Sequence, residues 1–158
     1  MKLIAHRGNI NGPKKESENK ISQIYKCIKL GFDVEIDIRL VNDKLYLGHD
    51  KGEEIIPIKE LNEIKDKCWI HCKNIEALTY FCRNQDRFNF FWHEKDSYCL
   101  TSLGYIWTYP GTEITSDCVL VMPELIMNKK DFLNLNKLKF HAISVSYTHL
   151  RAHETRSY

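Results

Sequence analysis

Short apolar segments alternate with helical patterns along the first half of the chain. Four segments have the apolar and polar alternation of strands: residues 2–8, 32–40, 44–50 and 68–74. Between them, Ile21, Ile24 and Ile28 recur at helical spacing, and a second helix is predicted to begin at Pro57. Asn74 can cap a third helix. This β-α-β alternation predicts a parallel sheet or barrel.

The second half of the chain has strand patterns with shorter connections. Further strands are predicted at residues 88–94, 104–111, 118–124 and 140–144. Only residues 129–138 leave room for a full helix between two of them.

Charged and imidazole side chains collect at or near the carboxyl ends of the predicted strands. They are His6 and Arg7, Glu35 and Asp37, His49 and Asp50, and His71 and Lys73. In a parallel sheet or barrel these ends meet at one edge, where such folds place their chemistry. We therefore expect these side chains to share one site.

Three acids, Asp33, Glu35 and Asp37, fall on one face of a single predicted strand. Neighbouring carboxylates suit a divalent cation, which prefers anionic oxygens and cancels their mutual repulsion. The alternative is a solvated edge face paired with Lys or Arg, which is the usual fate of surface acids.

Two histidines and two cations complete the candidate site. His6 and His49 together form a possible acid/base pair, whereas each alone reads more simply as a structural histidine. Arg7 and Lys73 lie next to them and can hold a phosphate group.

Composition and charge favour a small substrate. The chain has 158 residues, 43% of them hydrophobic, which suits one domain with its own core. A net charge of +2 without a basic stripe gives no reason to expect a nucleic-acid or membrane-surface partner. The opening MKLIAHRG is too short in apolar residues for a signal peptide or a transmembrane segment, so we expect a cytoplasmic protein. Its six irregularly spaced cysteines are then expected to be reduced thiols.

Residues 145–155, VSYTHLRAHET, break the periodicity of the preceding chain. They resemble the conceptual translation of a transposase-type sequencing-library adapter; the alternative is a disordered natural tail. We therefore predict one domain over residues 1–144 and a non-native tail over residues 145–158, so that the natural carboxyl terminus is missing. On either interpretation, His149 and His153 belong to no site.

An ordered set of short motifs resembles the glycerophosphodiester phosphodiesterase family, within the phosphatidylinositol-phospholipase-C-like superfamily. The motifs are HRG (His6–Gly8), EN (Glu18–Asn19), EIDIRL with Glu35 and Asp37, and GHD (Gly48–Asp50). Four motifs in this order within roughly fifty residues are specific, whereas the resemblance beyond residue 75 is much weaker.

The resemblance implies a TIM-type (β/α) barrel that hydrolyses a glycerophosphodiester to an alcohol and glycerol phosphate. It implies His6 and His49 as the acid/base pair and Glu35 and Asp37 as ligands of Mg²⁺ or Ca²⁺. Arg7 would contact the phosphate, and a neighbouring substrate hydroxyl would attack phosphorus to give a cyclic product that water opens. Three further residues, Lys73, Glu18 and Asn19, would line the substrate site.

Three departures from the family pattern change these expectations. His71 stands where the family has a metal-binding Glu, and a neutral imidazole favours Mg²⁺, Mn²⁺ or a transition metal over Ca²⁺. Lys20 follows the EN motif where Thr is commoner, which is a minor change. The chain is also shorter than the about 250 residues of a full barrel. We therefore predict an α/β fold, specifically a condensed or incomplete TIM-type barrel.

Other polar residues receive weaker assignments. Cys68 and Cys72 fall on the strand face opposite His71, which disfavours a shared zinc site. Three residues near later strand ends have no role assigned by their spacing: His93, Glu94 and Glu124.

Two classes of function remain open. The first is a metal-dependent phosphodiesterase, with a sphingomyelinase-D-like phospholipase as a variant within that class. The second is a non-catalytic module that binds a phosphate or phosphodiester. Retention of both His6 and His49 favours the enzyme, whereas the short second half and His71 favour the binding module.

Overall fold

A computed structural model describes residues 1–84 and 86–148 of the protein. The described strands are β1 (Lys2–Ala5), β2 (Asp33–Val41), β3 (Lys44–Leu47), β4 (Glu54–Ile55), β5 (Cys68–Cys72), β6 (Phe90–Phe91), β7 (Tyr98–Leu100), β8 (Ile106–Thr108), β9 (Cys118–Val121) and β10 (Ala142–Val145). The described helices are α1 (Ile21–Lys29), α2 (Ile58–Ile64), α3 (Ile75–Arg83) and α4 (Lys129–Asn134). Each strand and helix predicted from the periodicity of the sequence is present, whereas β4 and β7 were not predicted.

The strands form a mixed sheet that curls into a half-barrel. Neighbours run parallel along the order β6-β5-β2-β1-β10-β9-β8. Three strands are antiparallel additions: β3 to β2, β4 to β3, and β7 to β8. The turn between β2 and β3 has Asn42 and Asp43 at φ 48° and 59°, the left-handed pair of a two-residue hairpin.

The predicted TIM-type barrel is wrong. Such a barrel alternates strands with helices throughout, whereas the described chain has four short helices and a curled, mixed sheet. The alternation is interrupted between α3 and β9, where the connections are too short for helical crossovers, and it returns only once, as β9-α4-β10. Residues 101–105 simply turn β7 back into antiparallel β8, and residues 109–117, with Pro110 and Gly111, lead directly into β9.

Strand alternation divides the core between the two faces of the curled sheet. On the outer face, Val34, Ile36 and Ile38 of β2 pack against residues from α1, α2 and α3. On the inner face, Trp69 of β5 packs in a cluster with Trp107 of β8. The members of that inner cluster are Ile4, Trp69, Phe91, Trp107, Val119, Val121 and Ala142. The inner face is therefore apolar except where polar side chains enter it, chiefly from β2 and β5, with the buried Ser144 on β10.

The sheet continues across the predicted domain boundary at residue 144. Val145 is the register partner of Ala5, and Ser146 and Thr148 are buried. The remainder of the predicted tail, including His149 and His153, lies outside the described residues, and its non-native origin stays a prediction. Within the described ranges, no helix combines the length and the apolar character needed to cross a bilayer.

Candidate metal and phosphate site

The site lies at the carboxyl edge of the parallel strands. Register pairs Glu35 with Trp69 and Asp37 with His71, so that the acids of β2 and the imidazole of β5 point to the same inner face. The short helical turn His6–Gly8 follows β1 directly and brings His6 and Arg7 to the same edge.

Glu35 and Asp37 are the buried acids of the site. Their side chains are 1% and 0% exposed. Burial raises the pKa of Glu35 well above its usual range, and the neighbouring charge of Asp37 adds to this effect. Burial alone would also raise the pKa of Asp37, but His71, Arg7 and Asn19 outweigh it and hold that pKa below its usual range. Without a cation, therefore, Asp37 is the carboxylate that keeps its negative charge.

Asn19 and Arg7 fix the position of Asp37. The Asn19 amide nitrogen donates to Oδ2 of Asp37 at 2.9 Å, and the Asp37 backbone N–H donates to Oδ1 of Asn19 at 2.9 Å. Nε of Arg7 lies 3.4 Å from the same Asp37 Oδ2. Arg7 also adopts a left-handed φ of 53°, which directs its backbone N–H to Glu35 Oε2 at 2.9 Å.

His6 is a buried imidazole beside these acids. Its Nε2 lies 3.8 Å from Glu35 Oε2. Burial lowers the pKa of His6 from 6.5 to about 3, and the charge of Arg7 acts in the same direction. The ring is therefore neutral at pH 7 and able to accept a proton.

His71 directs one ring nitrogen towards the acids. Its Nε2 lies 3.1 Å from the backbone carbonyl of His93, which can only accept a hydrogen bond, so Nε2 carries a proton. Nδ1 lies 3.2 Å from Asp37 Oδ1 and 3.8 Å from Glu35 Oε1. Both ring nitrogens therefore face acceptors. In the metal-free chain a proton on Nδ1 would interact with the charged Asp37, and a bound cation would take the place of that proton and receive the Nδ1 lone pair.

The three side chains fit a divalent metal. One ligand atom from each of Glu35, Asp37 and His71 lies within 4.8 Å of the other two. Oδ1 of Asp37 is buried and accepts no hydrogen bond from the described residues. Octahedral Mg²⁺ binds its ligands at about 2.1 Å, which places adjacent ligand atoms about 3 Å apart. The separation of 3.2 Å between Asp37 Oδ1 and His71 Nδ1 is close to that value.

His49 and Lys73 form the outer part of the site. Nζ of Lys73 lies 3.5 Å from Nε2 of His49, whose Nδ1 lies 2.6 Å from Oδ1 of Asp50. Arg39 donates to the backbone carbonyls of both His49, at 2.7 Å, and Lys73, at 3.2 Å. Arg39 thus joins the two segments that carry these side chains.

Asp33, the third acid of the strand, belongs to a different environment. It lies at the opposite end of the strand from Asp37, about 13 Å away at the usual rise per residue. Oδ2 of Asp33 accepts from Lys2 Nζ at 3.1 Å and from Trp69 Nε1 at 3.2 Å, and Lys67 Nζ lies 3.4 Å from Oδ1. Asp33 is therefore a structural residue.

Glu18, predicted to contact substrate, is bonded within the chain. Its Oε1 accepts from the Asn9 amide at 2.9 Å, and its Oε2 accepts from Arg7 at 3.5 Å. The assignment of Glu18 and Asn19 to substrate stays a prediction, while the described contacts of both hold Arg7 and Asp37 in place.

Three residues of the site were not assigned a role from the sequence. Asn9 directly follows the HRG motif, and Arg39 extends the alternation of Glu35 and Asp37 by two residues, so both had a sequence signal. The role of the His93 carbonyl had no sequence signal, because the spacing of side chains does not show which backbone groups form contacts.

The remaining candidates lie apart from the acids. Cys68 and Cys72 are buried against the helices on the outer face, opposite His71, as the alternation predicted. Glu94 is exposed. Glu124 is partly buried and accepts a hydrogen bond from the Ser146 backbone at 2.8 Å.

No family model, curated protein or solved structure matches the chain.

Proposed function

We propose that the protein is a metal-dependent phosphodiesterase that hydrolyses a glycerophosphodiester, or a related small phosphodiester, to an alcohol and glycerol phosphate. The observation behind the proposal is the convergence of two buried carboxylates, an imidazole nitrogen, a second neutral imidazole and an arginine at one sheet edge. The order of the HRG, EN, EIDIRL and GHD motifs supports the same class of reaction.

Glu35, Asp37 and His71 would hold the metal. A bound divalent ion would neutralise charge that develops on the phosphoryl oxygens. Two carboxylates with one imidazole make a softer ligand set than three carboxylates, so we expect Mg²⁺ or Mn²⁺ in preference to Ca²⁺.

Arg7 and Lys73 would bind the phosphate. Nε of Arg7 faces Asp37 Oδ2 at 3.4 Å, and NH1 has a single long contact of 3.5 Å to Glu18, so neither contact is a short hydrogen bond. The guanidinium therefore has donors to offer an anion. Lys73 supplies a second positive charge near Glu35. This charge partly offsets the rise in the pKa of Glu35 that burial causes.

His6 and His49 would move the protons. His6 would accept the proton of an attacking hydroxyl, since its neutral ring has a free nitrogen lone pair, although the low pKa of the buried ring makes it a weak base in the metal-free chain. His49 would return a proton to the leaving oxygen, after taking one up on Nε2 beside Lys73. Hydrogen bonding to Asp50 orients the His49 ring for this step.

One contact favours the alternative of a non-catalytic phosphate-binding module. Nε2 of His49 faces the ammonium of Lys73 at 3.5 Å, and since an ammonium only donates, this nitrogen then holds a lone pair rather than a proton to deliver. A binding module needs only the cations and the metal.

Hydrolysis of an aryl phosphodiester by variants of the full chain separates the two functions. We expect metal-dependent turnover that falls at least about 100-fold in His6→Gln, since general acid–base catalysis contributes about 10²–10⁴-fold. His141→Gln is the matched control, because the His141 ring packs against Tyr105 and Trp69 near the amino end of the strands rather than against the proposed metal ligands. Equal turnover in His6→Gln and wild type would contradict the assignment of His6. Metal binding without turnover would favour the binding module.

A further inference from the structure

The ring of His71 is held on two sides by contacts that lie outside the metal site. Its Nε2 donates to the backbone carbonyl of His93 at 3.1 Å. Its face stacks on Phe91, with ring centroids 4.9 Å apart and planes inclined by 14°. The stacking fixes the plane of the ring, and the carbonyl fixes which nitrogen carries the proton.

The carbonyl that receives this hydrogen bond is itself held by the His93 side chain. Nε2 of His93 lies 2.6 Å from the backbone carbonyl of Asp96, which closes the loop that follows β6. Because that carbonyl can only accept, Nε2 of His93 carries a proton, and Nδ1 of a neutral ring is left as an acceptor.

Tyr109 supports the other side of His93. The two rings stack with centroids 4.5 Å apart and planes inclined by 22°, and the Tyr109 hydroxyl lies 3.4 Å from Nδ1 of His93. His93 is 8% exposed, so neither of its nitrogens is freely solvated. Its ring therefore has one closely defined orientation.

We propose that His93, supported by Tyr109, is a positioning residue that holds a proton on Nε2 of His71 and so leaves Nδ1 as the nitrogen that binds the metal. Outer hydrogen bonds to metal-binding histidines set their tautomer and ring orientation in this way. The relevance of this arrangement to metal binding rests on the proposed function. The Nε2 proton itself does not, because the hydrogen bond to His93 is present in the metal-free chain.

The tautomer is measured by long-range ¹H–¹⁵N spectra of the ¹⁵N-histidine-labelled full chain, with chelator, at pH 8. His71 signals are identified by their loss in His71→Gln. We expect Nε2 of His71 to be protonated in wild type, whether or not Nδ1 shares a second proton with Asp37, and some of the His71 rings to lose the Nε2 proton in His93→Ala. An Nε2 without a proton in wild type would overturn the proposal, as would an Nε2 that stays fully protonated in His93→Ala.

Mn²⁺ affinity gives a second readout that needs no substrate. Loss of an outer-shell partner typically weakens metal binding about 10- to 100-fold, so we expect a change of that size in His93→Ala. His93→Gln keeps a donor near the position of Nε2 and should recover most of the affinity. Tyr109→Phe keeps the stacked ring and should weaken Mn²⁺ binding less than His93→Ala does. If His93→Ala does not fold, Tyr109→Phe takes its place in the test.

His141→Ala is the matched control, since it removes a stacked histidine at the far end of the sheet. It should change neither the tautomer nor the affinity. If wild type shows the Nε2–H tautomer and binds no Mn²⁺, the proposed function fails while the positioning role stands. Unchanged Mn²⁺ affinity in a folded His93→Ala chain would overturn the positioning role.

Discussion

Asp33, Glu35 and Asp37 lie on one face of β2, yet neighbouring groups give them two different environments. Asp33 is neutralised by two lysines and bonded to Trp69, whereas Oδ1 of Asp37 has no hydrogen-bond donor among the described residues. The repulsion among the three acids is thus reduced at one end by cations within the chain. At the other end, the proposed metal would do the same.

Asp33→Asn and Asp37→Asn therefore form a matched pair of variants. Mn²⁺ at about 100 times its Kd should raise the free energy of unfolding of wild type by about 2.7 kcal/mol. Asp33→Asn should keep this increment while losing about 1 kcal/mol of stability in the metal-free state, because its lysine partners are half exposed. Asp37→Asn should lose the increment. Urea unfolding with and without Mn²⁺ checks both, and equal increments in the two variants would refute the metal site.

An imidazole as the third ligand, from His71, should determine which metal the site prefers. His71→Glu creates a ligand set of three carboxylates, which suits Ca²⁺ better than the present set does. We expect the ratio of Mn²⁺ to Ca²⁺ affinity to fall about tenfold or more in this variant, as measured by calorimetry. A ratio that does not change would mean that His71 is not a ligand.

Burial of His6 predicts a loss of stability in acid. Its pKa is lowered from 6.5 to about 3 in the folded chain, so between these values the unfolded chain binds a proton that the folded chain does not. The free energy of unfolding should fall as the pH falls through this window, by up to about 1.4 kcal/mol per pH unit from His6 alone. His6→Gln cannot take up this proton and should show a shallower slope in chelator-treated urea unfolding. Identical slopes would contradict the burial of a neutral His6.

At the scale of elements, strand ends and turns position the site more than helices do. His49 follows β3 through Gly48, which has a φ of 148°. A Cβ at Gly48 would collide with the backbone carbonyl of Lys51, and backbone cannot move aside as a side chain can. Gly48 is therefore required for the loop that carries His49.

Gly48→Ala should lower the free energy of unfolding by about 2 kcal/mol or more and reduce turnover, because the loop must shift. Gly104→Ala is the matched control: Gly104 also has a positive φ, of 89°, but a Cβ there meets nothing within 4 Å. That variant should lose only about 1 kcal/mol and keep its turnover. Urea unfolding and hydrolysis rates measure both effects, and equal losses in the two variants would show that the clash has no influence.

The sequence was sufficient to predict the elements that have strong periodicity, but not the way in which these elements connect. Alternation placed β2 and β5 with the correct faces, and therefore brought Glu35, Asp37 and His71 together. It missed β4 and β7, and with β7 the antiparallel hairpin of the second half, because these strands are only two and three residues long. Strands that short have almost no period to detect.

At the scale of the whole molecule, the two faces of the curled sheet have different roles: one packs against the helices, and the other carries the candidate site. The outer face of β2 is apolar and covered by α1, α2 and α3, whereas its inner face carries the acids. Most polar groups of the site are bonded to one another across elements distant in sequence, as in Asn19 with Asp37. Such pairings were not predictable from spacing, since they depend on how the sheet curls.

The most direct test of the proposed function is ³¹P NMR of glycerophosphocholine incubated with the full chain, first with chelator and then with excess Mn²⁺. The site geometry predicts an unchanged phosphodiester signal in chelator and its replacement by a phosphomonoester signal after Mn²⁺ is added. Asp37→Asn should give no product under either condition. Conversion by the chelated wild type, or an unchanged substrate in the presence of protein that demonstrably binds Mn²⁺, would contradict the assignment of a metal-dependent glycerophosphodiesterase.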